Sequence, residues 1–144
     1  MQITKMTPSD LKAVTALATQ LGYPNQQSEV EARFAAIQSQ PGYAQFVAKN
    51  ESNEVVGWIQ INLEPMTLLV DARADVAALV VDEKHRGKNI GKALLAKAES
   101  WAKENNIPLI RVRSNVTRKD AHRFYAREGY EALKTSNIFT KQIT

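Results

Sequence analysis

The residues best suited to chemistry run from Leu79 to Leu95: Leu79-Val80-Val81-Asp82-Glu83-Lys84-His85-Arg86-Gly87-Lys88-Asn89-Ile90-Gly91-Lys92-Ala93-Leu94-Leu95. An apolar, strand-like run over Val76–Val81 passes into a basic, glycine-bearing turn, and that turn opens an amphipathic helix. Gly87 and Gly91 lack a β-carbon, so the backbone can curl there and a ligand can approach it closely. The first amides of a helix have no internal partner and carry the positive end of the helix dipole. Arg86, Lys88 and Lys92 add full positive charges at the same place. Strand, cationic turn and helix N-terminus together make a phosphate-binding site. The spacing is not that of the nucleotide-triphosphate loop, which needs Gly, then Gly-Lys-Ser/Thr after a fixed gap. Nor is it the dinucleotide fingerprint, because Gly87 and Gly91 have no third glycine in register. The alternative is an ordinary strand–turn–helix connection with solvated charges.

A second block runs from Ser114 to Tyr130. Thr117 followed by Asp120 predicts an N-cap with an acidic residue at the third helical position. Ala121, Phe124, Tyr125 and Glu128 then share one helical side, and Gly129 is placed to end the helix in a left-handed cap. The Tyr125 hydroxyl is able to donate a proton to a departing group; the alternative is that Phe124 and Tyr125 are both packing residues.

Together these blocks resemble the GNAT acyltransferases. The first is similar to their pyrophosphate loop, Arg/Gln-x-x-Gly-x-Gly/Ala, with Arg86, Asn89 and Gly91 at the defining positions. Asn89 departs from the usual glycine, and asparagine is the side-chain-bearing residue that best tolerates left-handed angles. The second is similar to Ala-x-x-Phe-Tyr-x-x-x-Gly-Phe/Tyr, matched at Ala121, Phe124, Tyr125, Gly129 and Tyr130. The family often has asparagine where this chain has Arg118, and Asn115, one helical turn earlier, is the substitute. The resemblance is strong over residues 45–144 and rests on pattern alone before that. Within the superfamily the aminoalkylphosphonate N-acetyltransferases look closest, and they too tend to carry asparagine at the position of Asn89.

The resemblance implies a GNAT fold: an α/β mixed sheet, mostly antiparallel with a splayed parallel pair, flanked by helices. It implies acetyl-coenzyme A as cosubstrate and acetyl transfer to a primary amine of a small molecule by direct attack. The cosubstrate would lie on Leu79, Val80 and Val81 of the strand, on Arg86, Gly87, Lys88, Asn89, Ile90, Gly91 and Lys92 of the loop, and on Asn115 and Tyr125. Backbone donors on the strand would hold the pantetheine like an added strand and polarise the thioester carbonyl. Tyr125 is the expected general acid. Asp75 is the first candidate for the base and Glu64 the second, with ordered water as the alternative. Tyr23, Asn25, Gln26 and Glu29, between the first two helices, would line the acceptor site. A homodimer is common in the family. The competing function is a non-catalytic coenzyme A-binding module that senses or scaffolds.

The elements that must position these residues follow from local pattern. Ile3–Lys5 reads as a strand and Ser9–Leu21 as a helix broken by Gly22-Tyr23-Pro24. Glu29–Gln38 reads as a second helix. Gln45–Lys49 and Val55–Leu63 form an expected hairpin through Asn50-Glu51-Ser52-Asn53. Asp75–Val81 is a strand, on which Asp75 and Ala77 are expected to share a face. Ile90–Glu104 is the long helix, Leu109–Arg113 a strand, and Asp120–Arg127 a helix. Tyr130–Leu133 and Ile138–Gln142 are expected to close the fold as an antiparallel pair.

Composition bounds the answer. The 144 residues, 44% of them hydrophobic, predict a single domain over residues 1–144 with a sizeable core. Cysteine is absent, which removes disulfides, thiolate metal ligands and a cysteine-linked acetyl intermediate. His85 and His122 stand far apart, so no metal site is expected. No apolar run is long enough for a membrane span and no leader pattern is present, so no membrane partner and a cytoplasmic location are expected. The net charge of +4 and pI near 9.4 suit a polyanion. The basic residues lack the aromatic and glycine pattern of nucleic-acid modules, so coenzyme A rather than nucleic acid is the expected polyanion.

Overall fold

Runs rich in Val, Ile and Phe set the strands, because branched and aromatic side chains fit a pleated, half-buried surface. A computed structural model describes residues 1–144. It places these runs at β1 Gln2–Lys5, β2 Tyr43–Lys49, β3 Val55–Glu64, β4 Arg73–Val81 and β5 Ile110–Val112. They form one sheet in sequence order. Every neighbour pair is antiparallel except β4–β5, which is parallel. The helices are α1 Leu11–Leu21, α2 Gln27–Ile37, α3 Ile90–Glu104 and α4 Lys119–Arg127. Chain contacts divide these elements into two units, Met1–Val112 with the sheet and α1–α3, and Arg113–Thr144 with α4.

Within the first unit the sheet is covered on both faces. On one face α3 buries Ile90, Leu94, Leu95, Ala98 and Ala102, spaced to make a single apolar stripe. Leu94 and Ile90 reach Gly57 on β3, and Lys97 Nζ lies 5.2 Å above the Phe46 ring on β2. On the other face Met6, Leu11, Val14, Phe34 and Val47 form a cluster, with Val30 and Trp58 packed against it. Burying a side chain of this size contributes about 1.5–3 kcal/mol, so each face alone is a substantial part of the core.

Local chemistry fixes the ends. Asp10, almost fully buried, accepts the Thr7 amide at 2.9 Å and meets Lys49 Nζ at 3.5 Å, joining the start of α1 to β2. Gly22 ends α1 at φ 105°, a left-handed cap that only glycine adopts without strain.

Three expectations are corrected. Residues 130–144 carry no strand, so the pair Tyr130–Leu133 and Ile138–Gln142 is absent. A pair of short strands on its own is marginal in water, and Leu133, Ile138 and Phe139 are exposed. The N-cap of α4 is Arg118 rather than Thr117. Asn115 Oδ1 instead accepts from Thr117 N at 3.0 Å and Thr117 Oγ1 at 2.8 Å, a turn that competes with capping. Finally, β4 is bulged: Val76 pairs with Ile61 and Ala78 with Gln60, which leaves Ala77 as an extra residue. Asp75 therefore shares its face with Ala78 and Val80, in step with Asn62, Gln60 and Trp58.

Candidate functional site

The strand-to-helix turn has the backbone its residues demand. Asp82–Arg86 leaves β4 through a 3-10 turn at Glu83–His85. Gly87 then takes φ 81°, with open space where a β-carbon would stand. Asn89 takes φ 60° and ψ 20°, so the asparagine does adopt the left-handed conformation that glycine usually provides. It is also the N-cap of α3, yet its side chain makes no capping bond. The α3 amides at Ile90, Gly91 and Lys92 therefore meet no cap from Asn89. Arg86, Lys88 and Lys92 are exposed around them. Arg86 Nε donates to the Val81 carbonyl at 3.3 Å, which anchors the turn to the strand. These features fit a diphosphate: open amides, left-handed turns without bulk, and fixed positive charge.

The turn is also held from α1, through a residue that no local pattern singles out. Gln20 Nε2 donates to Asp82 Oδ1 at 2.8 Å, and Gln20 Oε1 accepts the Glu83 amide at 3.0 Å. His85 Nδ1 lies 2.7 Å from Asp82 Oδ2. The hydrogen bonds from Gln20 and then His85 hold the Asp82 carboxyl below its ordinary value.

The edge of β4 supplies the second element. β4 and β5 pair only at Ala74–Ile110, Asp75–Arg111 and Val76–Val112. Beyond Val76 no strand follows β4 on that side, which leaves the stretch with Leu79, Val80 and Val81 able to receive an extended chain. Val80 is buried, whereas Leu79 and Val81 are half-buried.

Between α1, α2 and the sheet lies a cavity of about 320 Å³. Its lining includes Tyr23, Asn25, Arg33, Gln45, Trp58, Gln60, Ala77 and Ala78, with Met6, Val14 and Phe34 behind them. Of the four loop residues expected at an acceptor site, Tyr23 and Asn25 line it, and Gln26 and Glu29 do not. Glu29 is engaged elsewhere. Its Oε1 accepts the Gln26 amide at 2.9 Å as a helix cap, and Oε2 lies 3.7 Å from Arg33. Arg33 and Gln45 escaped the sequence analysis, because α2 offered only its apolar stripe as signal and β2 only its strand propensity.

Neither candidate base lines this cavity. Arg111 Nε donates to Asp75 Oδ1 at 3.2 Å, and Arg111 NH2 lies 3.9 Å from Glu64 Oε1. Both carboxylates thus converge on one guanidinium at the β4–β5 rungs.

In the second unit, Tyr125 is half-buried on α4. Its ring meets Phe124 edge-on at 5.2 Å and Tyr130 at 6.0 Å. Burial raises the Tyr125 phenol above its ordinary value, against the opposing charge of Arg118. The hydroxyl therefore keeps its proton across the neutral range. Asn115 sits in the turn before α4, where its carbonyl meets His122 Nε2 at 2.8 Å.

Residues 11–130 match the model of the Acetyltransferase (GNAT) family. An aminoalkylphosphonate N-acetyltransferase of Salmonella typhimurium is 39% identical over 80 residues, 56% of this chain and 52% of that protein. An uncharacterized N-acetyltransferase of Bacillus subtilis is 42% identical over 50 residues, 35% of each chain. The matched stretches thus span about half and about a third of these two relatives. Among solved structures, a transcriptional regulator from Bacillus halodurans has a TM-score of 0.86 at 26% identity, covering 97% of this chain and 99% of its own. An aminoglycoside 6'-N-acetyltransferase from Acinetobacter haemolyticus has a TM-score of 0.87 at 15% identity, with all of both chains covered. Another aminoglycoside acetyltransferase, in complex with a coenzyme A bisubstrate analog, has a TM-score of 0.87 at 14% identity, covering 98% and 97%.

Proposed function

Because this chain belongs to the GNAT acetyltransferase family, we propose that it transfers acetyl from acetyl-coenzyme A to the primary amine of a small molecule. The observation that carries this is the turn at Gly87–Asn89, left-handed at both residues and opening onto α3 amides that Asn89 does not cap. In this proposal residues 1–144 act as one acetyltransferase domain, in keeping with a family match that runs through both units.

Bound acetyl-coenzyme A would supply an activated acetyl thioester. Arg86, Lys88 and Lys92, with the α3 amides, hold its diphosphate. The free edge of β4 at Leu79–Val81 takes the pantetheine as an added strand. A backbone N–H there opposes the negative charge that grows on the carbonyl oxygen during amine attack. Tyr125 holds a proton at its hydroxyl and gives it to the departing sulfur. The cavity under α1 and α2 receives the amine. Deprotonation of that amine is assigned to cavity water, since Asp75 and Glu64 both face Arg111. The lack of cysteine is compatible with a cytoplasmic site of action. The exposed apolar side chains of Leu68 and Leu69, adjacent in the loop between β3 and β4, support a homodimer, which sedimentation would read directly.

The test is thiol release from acetyl-coenzyme A against a panel of amines, with wild type beside Tyr125→Phe. Turnover on one amine class, reduced about tenfold or more in the variant, is the expected result. Tight coenzyme A binding without turnover on any amine would favour the sensing or scaffolding function instead.

A further inference from the structure

The stretch assigned to the diphosphate, Arg86–Asn89, is exposed throughout. Gly87 and Asn89 stand at φ 81° and 60°, and nothing packs where a β-carbon of Gly87 would be. Beyond the bond from Arg86 Nε to the Val81 carbonyl, the course of this stretch is set at its two ends. At the far end Ile90 is buried against Gly57 on β3. At the near end the Asp82 amide donates to the Val56 carbonyl at 2.8 Å. That bond fixes where the chain leaves β4, but not which way it turns.

The direction is fixed by Gln20, in the last turn of α1. Its Nε2 donates to Asp82 Oδ1 at 2.8 Å and its Oε1 accepts the Glu83 amide at 3.0 Å. A backbone N–H can only donate, so Glu83 dictates which end of the Gln20 side chain is oxygen and leaves the NH2 facing the carboxylate. The second carboxylate oxygen, Oδ2, lies 2.7 Å from His85 Nδ1. Both ends of Gln20 and both oxygens of Asp82 are thus matched. The Gln20 side chain is exposed, so this clasp adds little to the core. Its support is firm, because α1 buries Leu11, Val14, Leu17 and Ala18 on its other side and Gly22 closes its end.

We propose that Gln20 is a positioning residue for coenzyme A. Acting through Asp82 and Glu83, it presets the turn so that Arg86, Lys88 and the α3 amides meet the diphosphate without rearrangement. Such preorganisation strengthens binding by removing the cost of ordering a flexible segment on contact. The inference rests on the coenzyme A site of the proposed function and assigns that site a residue 62 positions before Asp82.

The experiment is calorimetric titration with coenzyme A of wild type, Gln20→Met, Gln20→Glu and the double variant Gln20→Glu/Asp82→Asn. Gln20→Met keeps the length, removes both bonds, and should raise Kd by roughly three- to tenfold. Gln20→Glu keeps the acceptor for Glu83 but sets a carboxylate against Asp82, and should raise Kd by about tenfold or more. The double variant reverses the polarity of the pair. The new amide at position 82 donates to the new carboxylate at position 20, and its oxygen remains for His85. Kd should return to within about threefold of wild type. In steady-state kinetics the KM for acetyl-coenzyme A should follow Kd across the series, while kcat and the amine KM stay within about twofold.

Kd unchanged in both single variants overturns the proposal and leaves the coenzyme A site standing. Val14, Ala18 and Leu21 of α1 line the cavity, so displacement of the helix itself would register in the amine KM. A raised amine KM, or a raised Kd that the double variant does not reverse, overturns the proposal too, since Gln20 would then act by holding α1 in place. If wild type does not bind coenzyme A, the site fails and the proposal with it. If coenzyme A binds but no amine is turned over, acetyl transfer is what fails, and the Kd series still decides on Gln20.

Discussion

Replacing Gly57 by alanine should loosen both the core and the loop proposed to hold coenzyme A. Gly57 sits in β3, and a β-carbon there would lie 2.9 Å from Leu94 Cδ1, 3.1 Å from Ile90 Cγ2 and 3.3 Å from the Val80 carbonyl oxygen. Carbon atoms ordinarily settle about 3.5–4.0 Å apart. Leu94 is fully buried and Ile90 nearly so, which leaves neither side chain room to swing aside. The first turn of α3 must lift instead. Overpacking of this kind costs about 1–3 kcal/mol, which for a chain of this size lowers Tm by about 3–10 °C. Ile90 is the first residue of α3 and follows Asn89 directly, so the same lift displaces the amides assigned to the diphosphate. Calorimetry should show the lower Tm, and titration with coenzyme A should show a Kd raised by roughly three- to tenfold, a cost of about 1 kcal/mol. The double variant Gly57→Ala/Leu94→Ala separates overpacking from a general defect. Leu94→Ala alone leaves a cavity costing about 2–5 kcal/mol, part of which the new methyl fills. The two effects should therefore sum to less than their separate values by more than about 0.5 kcal/mol. A Tm within 1 °C of wild type, or strict additivity, would refute the account (about 1 °C being well below the shift expected here).

Three further outcomes are expected. Asn89→Gly should hold stability within about 0.5 kcal/mol and keep coenzyme A affinity, whereas Asn89→Val, forced into a left-handed residue, should cost about 1–2 kcal/mol and weaken binding; equal Tm and Kd for the two variants would dismiss the left-handed requirement. Asp75→Asn should lower stability by about 1–2 kcal/mol through its weakened bond to Arg111, yet leave kcat within about twofold; a kcat loss of about a hundredfold at unchanged Tm would make Asp75 the base after all. The Asp82 carboxyl is held below its ordinary value of 3.8, so its ionised form stabilises the fold above that pH and the benefit fades as acid protonates it. The Tm difference between wild type and Asp82→Asn should accordingly shrink as the pH falls below about 4. A difference that stays constant from neutral to strongly acid pH would place the stabilisation elsewhere.

Features carried by local pattern were legible from the chain alone. The stripe from Ile90 to Ala102 marks α3, and the apolar run ending at Val81 marks β4 and its turn. The left-handed fit of Asn89 followed from side-chain chemistry. Features set by pairing were not legible. The bulge at Ala77 leaves no trace in Ala77-Ala78-Leu79, since adjacent alanines satisfy either face of a strand. Gln20 and Asp82 are joined across 62 positions by a hydrogen bond that no periodicity announces. Gln45 opens the expected strand Gln45–Lys49, and nothing in that run marks it as buried against the cavity. The expected C-terminal strands show the reverse error: residues with strand propensity stay irregular, because propensity alone does not hold a strand pair together.

The extra residue in β4 has a geometric meaning of its own. In a strictly alternating strand, one side chain in two would face the space beneath α1 and α2, and Leu79 would follow Ala77 there. With Ala77 unpaired, Ala77 and Ala78 both border that space, and Leu79 moves into step with Ile59 on the α3 face. Two methyl groups stand where a methyl and an isobutyl group would have alternated. The depth of the cavity is thus written into the count of backbone residues between Val76 and Leu79. Removing one of them would restore simple alternation with Leu79 still opposite Ile59, leaving a single alanine before it and one methyl fewer on the cavity floor. Cavity size in such a sheet can change by sliding a single insertion along the strand, with no substitution among the residues that face the ligand.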